Sequence, residues 1–214
     1  MKRFLATVLC LACLLCGCGK PGDSYTPTGD GLEYGPEHTG PQTTPQPENT
    51  AETLSLPYYK EKTLNPYQCN DFTNRALFSL LYQSLFSVDR EYNVEPQLCK
   101  NYSVSQDMKT YTFYLEEATF SDGSKLIAQD VVATLQAAKE SAIYSGRFRH
   151  VSEILVAPDG GVRLQLNTAY ENLPLLLDIP IVPQHQVEDP APLGSGLYIL
   201  ETDGLNACLR RRSD

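Results

Sequence analysis

Beyond residue 53 the apolar positions follow two rhythms, one of period two and one near 3.6. Leu54-Ser55-Leu56 alternates and predicts a short strand that Pro57 closes. Asn65-Pro66 marks a turn. From Asn70 to Leu85 the pattern changes to a helical one. Asp71 stands where a cap is needed, and Ala76, Leu77, Leu80, Leu81, Ser84 and Leu85 form a buried stripe. Tyr102-Ser103-Val104 and Thr110 to Leu115 return to alternation across Gln106-Asp107-Met108-Lys109, which predicts a hairpin. Ser121-Asp122-Gly123-Ser124 is a tight turn, with Gly123 free to take a positive φ. A second helix is predicted over Asp130 to Ala142, with Val131, Leu135, Ala138 and Ala142 on one face. Glu153–Val156 and Val162–Leu166, flanking Pro158-Asp159-Gly160-Gly161, predict a second hairpin. Leu173 to Leu177 predicts a helical turn or two. Gly194-Ser195-Gly196 predicts a turn before a strand at Leu197 to Leu200. Helices interspersed with hairpins, without a strict βαβ repeat, place the chain in the mixed α/β (α+β) class.

The first residues carry a different pattern. Lys2 and Arg3 precede an apolar run of twelve positions, Phe4 to Leu15, interrupted only by Thr7, and Leu15-Cys16-Gly17-Cys18 ends the run. Twelve residues of helix span roughly 18 Å, short of the roughly 30 Å hydrocarbon core. The stretch therefore predicts a signal peptide over 1–17. Leu-x-Gly-Cys is similar to a bacterial lipobox, which makes Cys18 the lipidation site and anchors the chain to the cell membrane, facing outward. Residues 19 to 53 hold six glycines and six prolines and almost nothing apolar. Such a stretch cannot offset the entropy of ordering, so 18–53 predicts a flexible tether reaching roughly 30–35 Å.

Charge narrows the function classes. The 214-residue chain carries a net −9. Cleavage before Cys18 would leave fifteen basic and 26 acidic residues, a net −11. An acidic body lacks the basic stripe that nucleic acid requires. The short Arg210–Arg212 cluster reads as a solvated charge run. Beyond the lipobox, Cys69, Cys99 and Cys208 remain. A Cys69–Cys99 bridge or three free thiols both fit an exported chain. His38, His150 and His185 are scattered without ligand spacing, so neither a metal site nor another cofactor is expected.

Several segments together resemble one family. Asn65-Pro66, then Leu80 to Phe86, then Glu95-Pro96-Gln97-Leu98 are similar to the opening of the family 5 extracellular solute-binding proteins, the peptide- and nickel-binding components of ABC importers. Thr110 to Leu115, Phe120-Ser121-Asp122-Gly123, Ala128 to Val132, Ile181-Val182-Pro183 and Pro192 to Tyr198 keep that family's order. The chain departs from the family pattern in three places. Met108 replaces a turn glycine, which predicts a changed turn type because a Met at positive φ is strained. Ala118 replaces a second glycine, and Ile127 stands where the family prefers a Thr cap.

The resemblance implies a fold of two lobes around a cleft. Relatives run to more than twice this length, so residues 54–214 are expected to supply part of the first lobe of a truncated chain. It further implies a peptide or similar small solute, held between lobes that close by a hinge, with ABC permease and ATPase subunits as partners. By the same resemblance the segment before Asn65 lines the cleft. This points to Tyr58 and Tyr59, with Asn74 beside them, and to Gly194-Ser195-Gly196 at the crossover between lobes. Surface or core rings with satisfied hydroxyls remain the alternative for the tyrosines. A plain tight turn remains the alternative for the glycines. A peptide-sensing or adhesion lipoprotein on the same fold is the other functional reading. A surface hydrolase is disfavoured, because no Gly-x-Ser-x-Gly elbow occurs. Glu116 and Glu117, adjacent on a predicted strand, would point to opposite faces.

Overall fold

The computed structural model describes residues 53–54, 56–203 and 206–213. The predicted signal peptide, Cys18 and nearly all of the tether lie outside them.

The centre of the fold is a four-stranded antiparallel sheet in the order β4 (Cys99–Val104), β5 (Thr110–Leu115), β7 (Val162–Leu166), β6 (Val151–Val156). Both predicted hairpins are present. Tyr111, Phe113, Val162, Leu164 and Leu166 are buried, while Arg163 and Gln165 on the opposite face are partly exposed, as alternation requires. The helix α3 (Ala128–Glu140) packs against β6 and β7 through a buried stripe that includes Val131, Leu135 and Ala138. It ends before Ala142, which is exposed. Phe86, Tyr102, Tyr111 and Phe113 form a connected set of ring contacts at 5.5–6.3 Å. Phe86 belongs to a small hairpin, β2 (Phe86–Val88) with β3 (Val94–Pro96).

The helix predicted over 70–85 is instead two single turns, α1 (Phe72–Arg75) and α2 (Phe78–Leu81). Asp71 does cap the first, accepting the Asn74 N–H at 3.0 Å. Tyr82 then becomes extended, at φ −126° and ψ 148°. Beyond it the Ser84 and Leu85 carbonyls accept N–H groups from Gln97, Leu98 and Cys99, and the Gln83 carbonyl accepts Ile181 N–H. Pairing with distant chain outcompetes a helix whose periodicity was locally sound.

A second sheet has the order β1 (Thr53–Leu54), β9 (Asn206–Arg211), β8 (Tyr198–Asp203), all antiparallel. The strand predicted at Leu54–Leu56 thus pairs through Thr53 and Leu54, with Arg210 and Leu209. The turn at 105–109 corrects another expectation. Met108 keeps the left-handed conformation, φ 53°, instead of changing turn type. Asp107 Oδ1 accepts from Lys109 N–H, and Met108 N–H donates to the Ser105 carbonyl at 2.9 Å. These bonds offset a penalty of about 1–2 kcal/mol. Cys69 and Cys99 are buried and unbridged, each thiol within reach of a local carbonyl, at Asp71 and Asn101.

Candidate functional site

Tyr58 is partly exposed and Tyr59 is 53 % exposed, on the irregular segment leading to Asn65. That segment is held by Asn74, which is completely buried. Its Oδ1 accepts Tyr59 N–H at 2.8 Å, and its Nδ2 donates to the Tyr59 carbonyl at 3.0 Å, with longer contacts to the Lys62 and Thr63 carbonyls. The Asn74 amide is therefore occupied by backbone. It fixes the two-tyrosine segment and presents no free polar group of its own.

The segment around Asn65 runs beside residues 187–192, more than 120 positions away in the chain. Leu64 and Asn65 N–H groups both donate to the Pro190 carbonyl, at 2.7 and 3.1 Å. Asn65, also fully buried, donates through Nδ2 to Val187 and Asp189 carbonyls at 2.8 Å each, and its Oδ1 accepts Tyr67 N–H at 2.9 Å. The Tyr82 hydroxyl reaches the Leu64 carbonyl at 3.0 Å and the Pro192 carbonyl at 3.2 Å, one on each crossing. Burial raises its pKa above the usual phenol value, and neighbouring Cys69 adds to the shift. It therefore remains a neutral donor. Asn65 and Tyr82 were not singled out as site residues from the sequence. The Asn-Pro dipeptide signals a turn but cannot show a partner more than 120 residues away.

Gly194-Ser195-Gly196 lies against the end of α2. A Cβ on Gly194 would stand 1.8 Å from the Leu81 carbonyl oxygen, and one on Gly196 would stand 2.3 Å from that of Leu80. Gly196 N–H donates to the Leu81 carbonyl at 2.9 Å. Neither glycine has a positive φ. Both are required for close approach rather than for turn geometry.

Ser195 and Gly196 also line an open groove of about 920 Å³. Its other walls include the Glu116–Thr119 segment after β5, the start of α3, and Arg211 and Arg212 at the end of β9. Tyr58, Tyr59 and Asn74 are not part of it. The arginine run is not simply solvated: Arg210 Nε bonds Glu201 at 2.6 Å, and Arg212 donates to the Thr119 carbonyl and hydroxyl at 3.0 and 2.8 Å. Glu116 and Glu117 follow β5 instead of lying in it, and both are exposed. At α3, Ile127 occupies the cap position without a side-chain acceptor. Asp130 takes Ile127 N–H on Oδ2 at 2.9 Å and Gln184 N–H on Oδ1 at 2.8 Å, tying the helix to the 183–187 turn. Among the described residues no three His, Cys, Asp or Glu side chains converge as a metal site, and no helix is long and apolar enough to cross a membrane.

Comparison with known proteins agrees with this architecture. The glutathione-binding protein GsiB of Shigella boydii is 29 % identical over 156 residues, covering 65 % of this chain and 30 % of GsiB. NikZ from Campylobacter jejuni, solved with Ni(L-His), superposes with a TM-score of 0.57 at 22 % identity, over 72 % of this chain and 34 % of NikZ. The oligopeptide-binding protein AppA from Bacillus subtilis, solved with a nonapeptide, gives 0.59 at 20 % identity, over 73 % and 34 %. The chain thus spans about a third of the length of the relatives it matches. These neighbours share the periplasmic-binding-protein-like fold. Residues 93–206 match the model of the middle part of the bacterial extracellular solute-binding proteins, family 5, and the chain belongs to that family.

Proposed function

We propose that this protein captures a peptide or similar small solute outside the cell membrane and delivers it to an ABC permease and its ATPase. The observation that carries the reading is the family match, which covers more than half of the chain. A relative named as a glutathione-binding protein, with neighbours solved with a nonapeptide and with Ni(L-His), supports small peptidic ligands or amino-acid chelates as the solute class. Tyr58 and Tyr59 are the proposed solute contacts, since partly exposed rings on a pinned backbone lose little entropy on binding. Asn74 serves them by holding the segment. The Gly194–Gly196 turn marks the proposed crossover between lobes. Residues 1–17 are the proposed signal peptide, Cys18 the lipidated anchor, 18–53 the tether, and 54–214 the part of the solute-binding domain present here.

Uptake of labelled glutathione and of di- to hexapeptides is the test. Loss of the gene should abolish uptake of at least one of these. Restoration should need Cys18 for membrane retention and the two tyrosines for transport. Uptake of the whole panel unchanged by the deletion would refute import and favour a sensing role.

A further inference from the structure

A smaller cavity, of about 380 Å³, opens between the chain that follows α3 and the chain that follows β7. Arg147, Arg149 and His150 line it, with no aspartate or glutamate among the lining residues. That reverses the balance of a chain with 17 basic and 26 acidic residues. Phe148, between the two arginines, is buried and anchors the turn that carries them. Arg147 is held in place: its Nη1 bonds Asp178 and, at 3.3 Å, the Leu176 carbonyl, and its guanidinium lies 5.1 Å from the centre of the Tyr144 ring. Its Nε and Nη2 have no partner among the described residues. Arg149 uses only Nε, on the Gly146 carbonyl at 3.4 Å, so both of its terminal nitrogens are open. The His150 ring stacks on Tyr170 at 5.6 Å and makes no hydrogen bond to a described residue. Tyr170 is itself pinned, donating its N–H to the Met108 carbonyl and accepting the Tyr111 hydroxyl on its own carbonyl at 2.8 Å.

Two guanidinium groups on one small cavity repel each other. Among the described residues Asp178 is the one carboxylate in ion-pair contact with the basic trio, and it serves Arg147 alone. An anion in the cavity would offset the rest. The planar guanidinium fork matches phosphate oxygens, and a ring N–H adds a further donor. A phosphate monoester brings nearly two charges and three acceptor oxygens, whereas a carboxylate brings one charge and two oxygens. The cavity exceeds what a bare phosphate fills, and Ile143, Leu176 and the Tyr170 ring offer apolar contact to a carbon substituent. We propose that this cavity binds the phosphate group of a phosphomonoester, with Arg147, Arg149 and His150 as donors and Tyr170 as the platform that fixes His150. It shares no residue with the larger groove and includes neither Tyr58 nor Tyr59, so it stands independently of the import reading.

Amide NMR of the protein titrated with phenyl phosphate and with benzoate at about pH 7.5, where phosphate monoesters are mostly dianionic, tests it. Phenyl phosphate should shift the Gly146 and His150 amide signals saturably, at about millimolar concentration. Benzoate should bind at least about fivefold more weakly. Arg149→Gln, at an exposed position, should weaken phenyl phosphate by about fivefold or more, and His150→Gln should weaken it several-fold. Arg90→Gln removes an exposed cation outside the cavity and should leave the affinity unchanged. Given that binding, Cys18→Ser protein, which cannot carry the proposed lipid, is sedimented with phosphatidylcholine vesicles with and without phosphatidic acid. Cosedimentation that needs both phosphatidic acid and Arg149 would place the phosphate on a lipid, and its absence would place it on a free compound; each supports the site. No saturable shift up to about 20 mM phenyl phosphate, benzoate binding as tightly, or an affinity untouched by Arg149→Gln would overturn the proposal.

Discussion

Asn65 offers the sharpest test of how its own segment is held against residues 187–189. Its amide is fully buried and uses two donor bonds and one acceptor bond, all to backbone groups, at 2.8, 2.8 and 2.9 Å. Removing it by Asn65→Ala deletes three hydrogen bonds, at about 1 kcal/mol each, so a loss of about 3 kcal/mol is expected. Asn65→Asp preserves shape and the acceptor to Tyr67 N–H. It nonetheless turns a carboxylate oxygen toward the Val187 and Asp189 carbonyls, where two donors had been. A buried, unpaired charge facing two acceptors makes this isosteric change the worse one, at about 4 kcal/mol or more near neutral pH. The new carboxyl should be protonated more readily in the folded state than in the unfolded one, because burial disfavours its charge. Relative to the parent protein, the Asp variant should therefore recover as pH falls toward 5. Urea unfolding followed by circular dichroism measures both effects. With a slope of about 2 kcal/mol/M, the Ala variant should lower the midpoint by about 1.5 M. An Asp variant at least as stable as the Ala variant at pH 7 would refute the bonding scheme.

Other consequences can be measured alongside. Gly194→Ala and Gly196→Ala should each cost at least about 3 kcal/mol, because the added carbon meets backbone that cannot rotate away; thermal melts near that of the parent protein would contradict the close approach. Four exposed aspartates brace the turns: Asp89, Asp107, Asp122 and Asp159 accept bonds from Asn93, Ser105, Ser124 and Tyr114 respectively, and each carboxyl is held below its ordinary pKa of 3.8 first by that side-chain bond. Their contribution is complete above pH 3.8 and fades as pH falls through the lowered values, so replacing all four with Ala should flatten the acid limb of the stability profile. Burial, and then the Glu116 carboxylate, push the Cys99 thiol up to about 11, leaving about one part in a thousand as thiolate at pH 8. Alkylation with peptide mapping should therefore find Cys208, the more exposed thiol, modified well before Cys99 and buried Cys69. Equal rates would mean the core opens readily.

Local patterns carried much of the architecture into the sequence. Alternation at Thr110–Leu115 and Val162–Leu166 prescribes which side chains face inward, because a pleated strand gives each residue one of two faces. Asp122-Gly123 and Asp159-Gly160 specify turns whose glycines do take φ 85°. The Val131–Leu135–Ala138 stripe needs only helical geometry to become a buried face. Only the resemblance to the family marks Ile127 as the cap position, since the apolar stripe by itself places the helix start at Asp130, two residues late.

Other features rest on groups brought together from far along the chain, and no local rule reaches them. The 70–85 stripe breaks because Gln97–Cys99 and Ile181 claim its later carbonyls. That the Asn74 amide is committed to the backbone of residues 59–63 depends on the fold and not on any local pattern. Asn65 and Tyr82 become pins only when 187–192 passes beside them. The groove likewise needs the end of β9 opposite the start of α3. Periodicity is a short-range property of a chain, whereas hydrogen-bond saturation and close packing depend on partners that folding alone assembles.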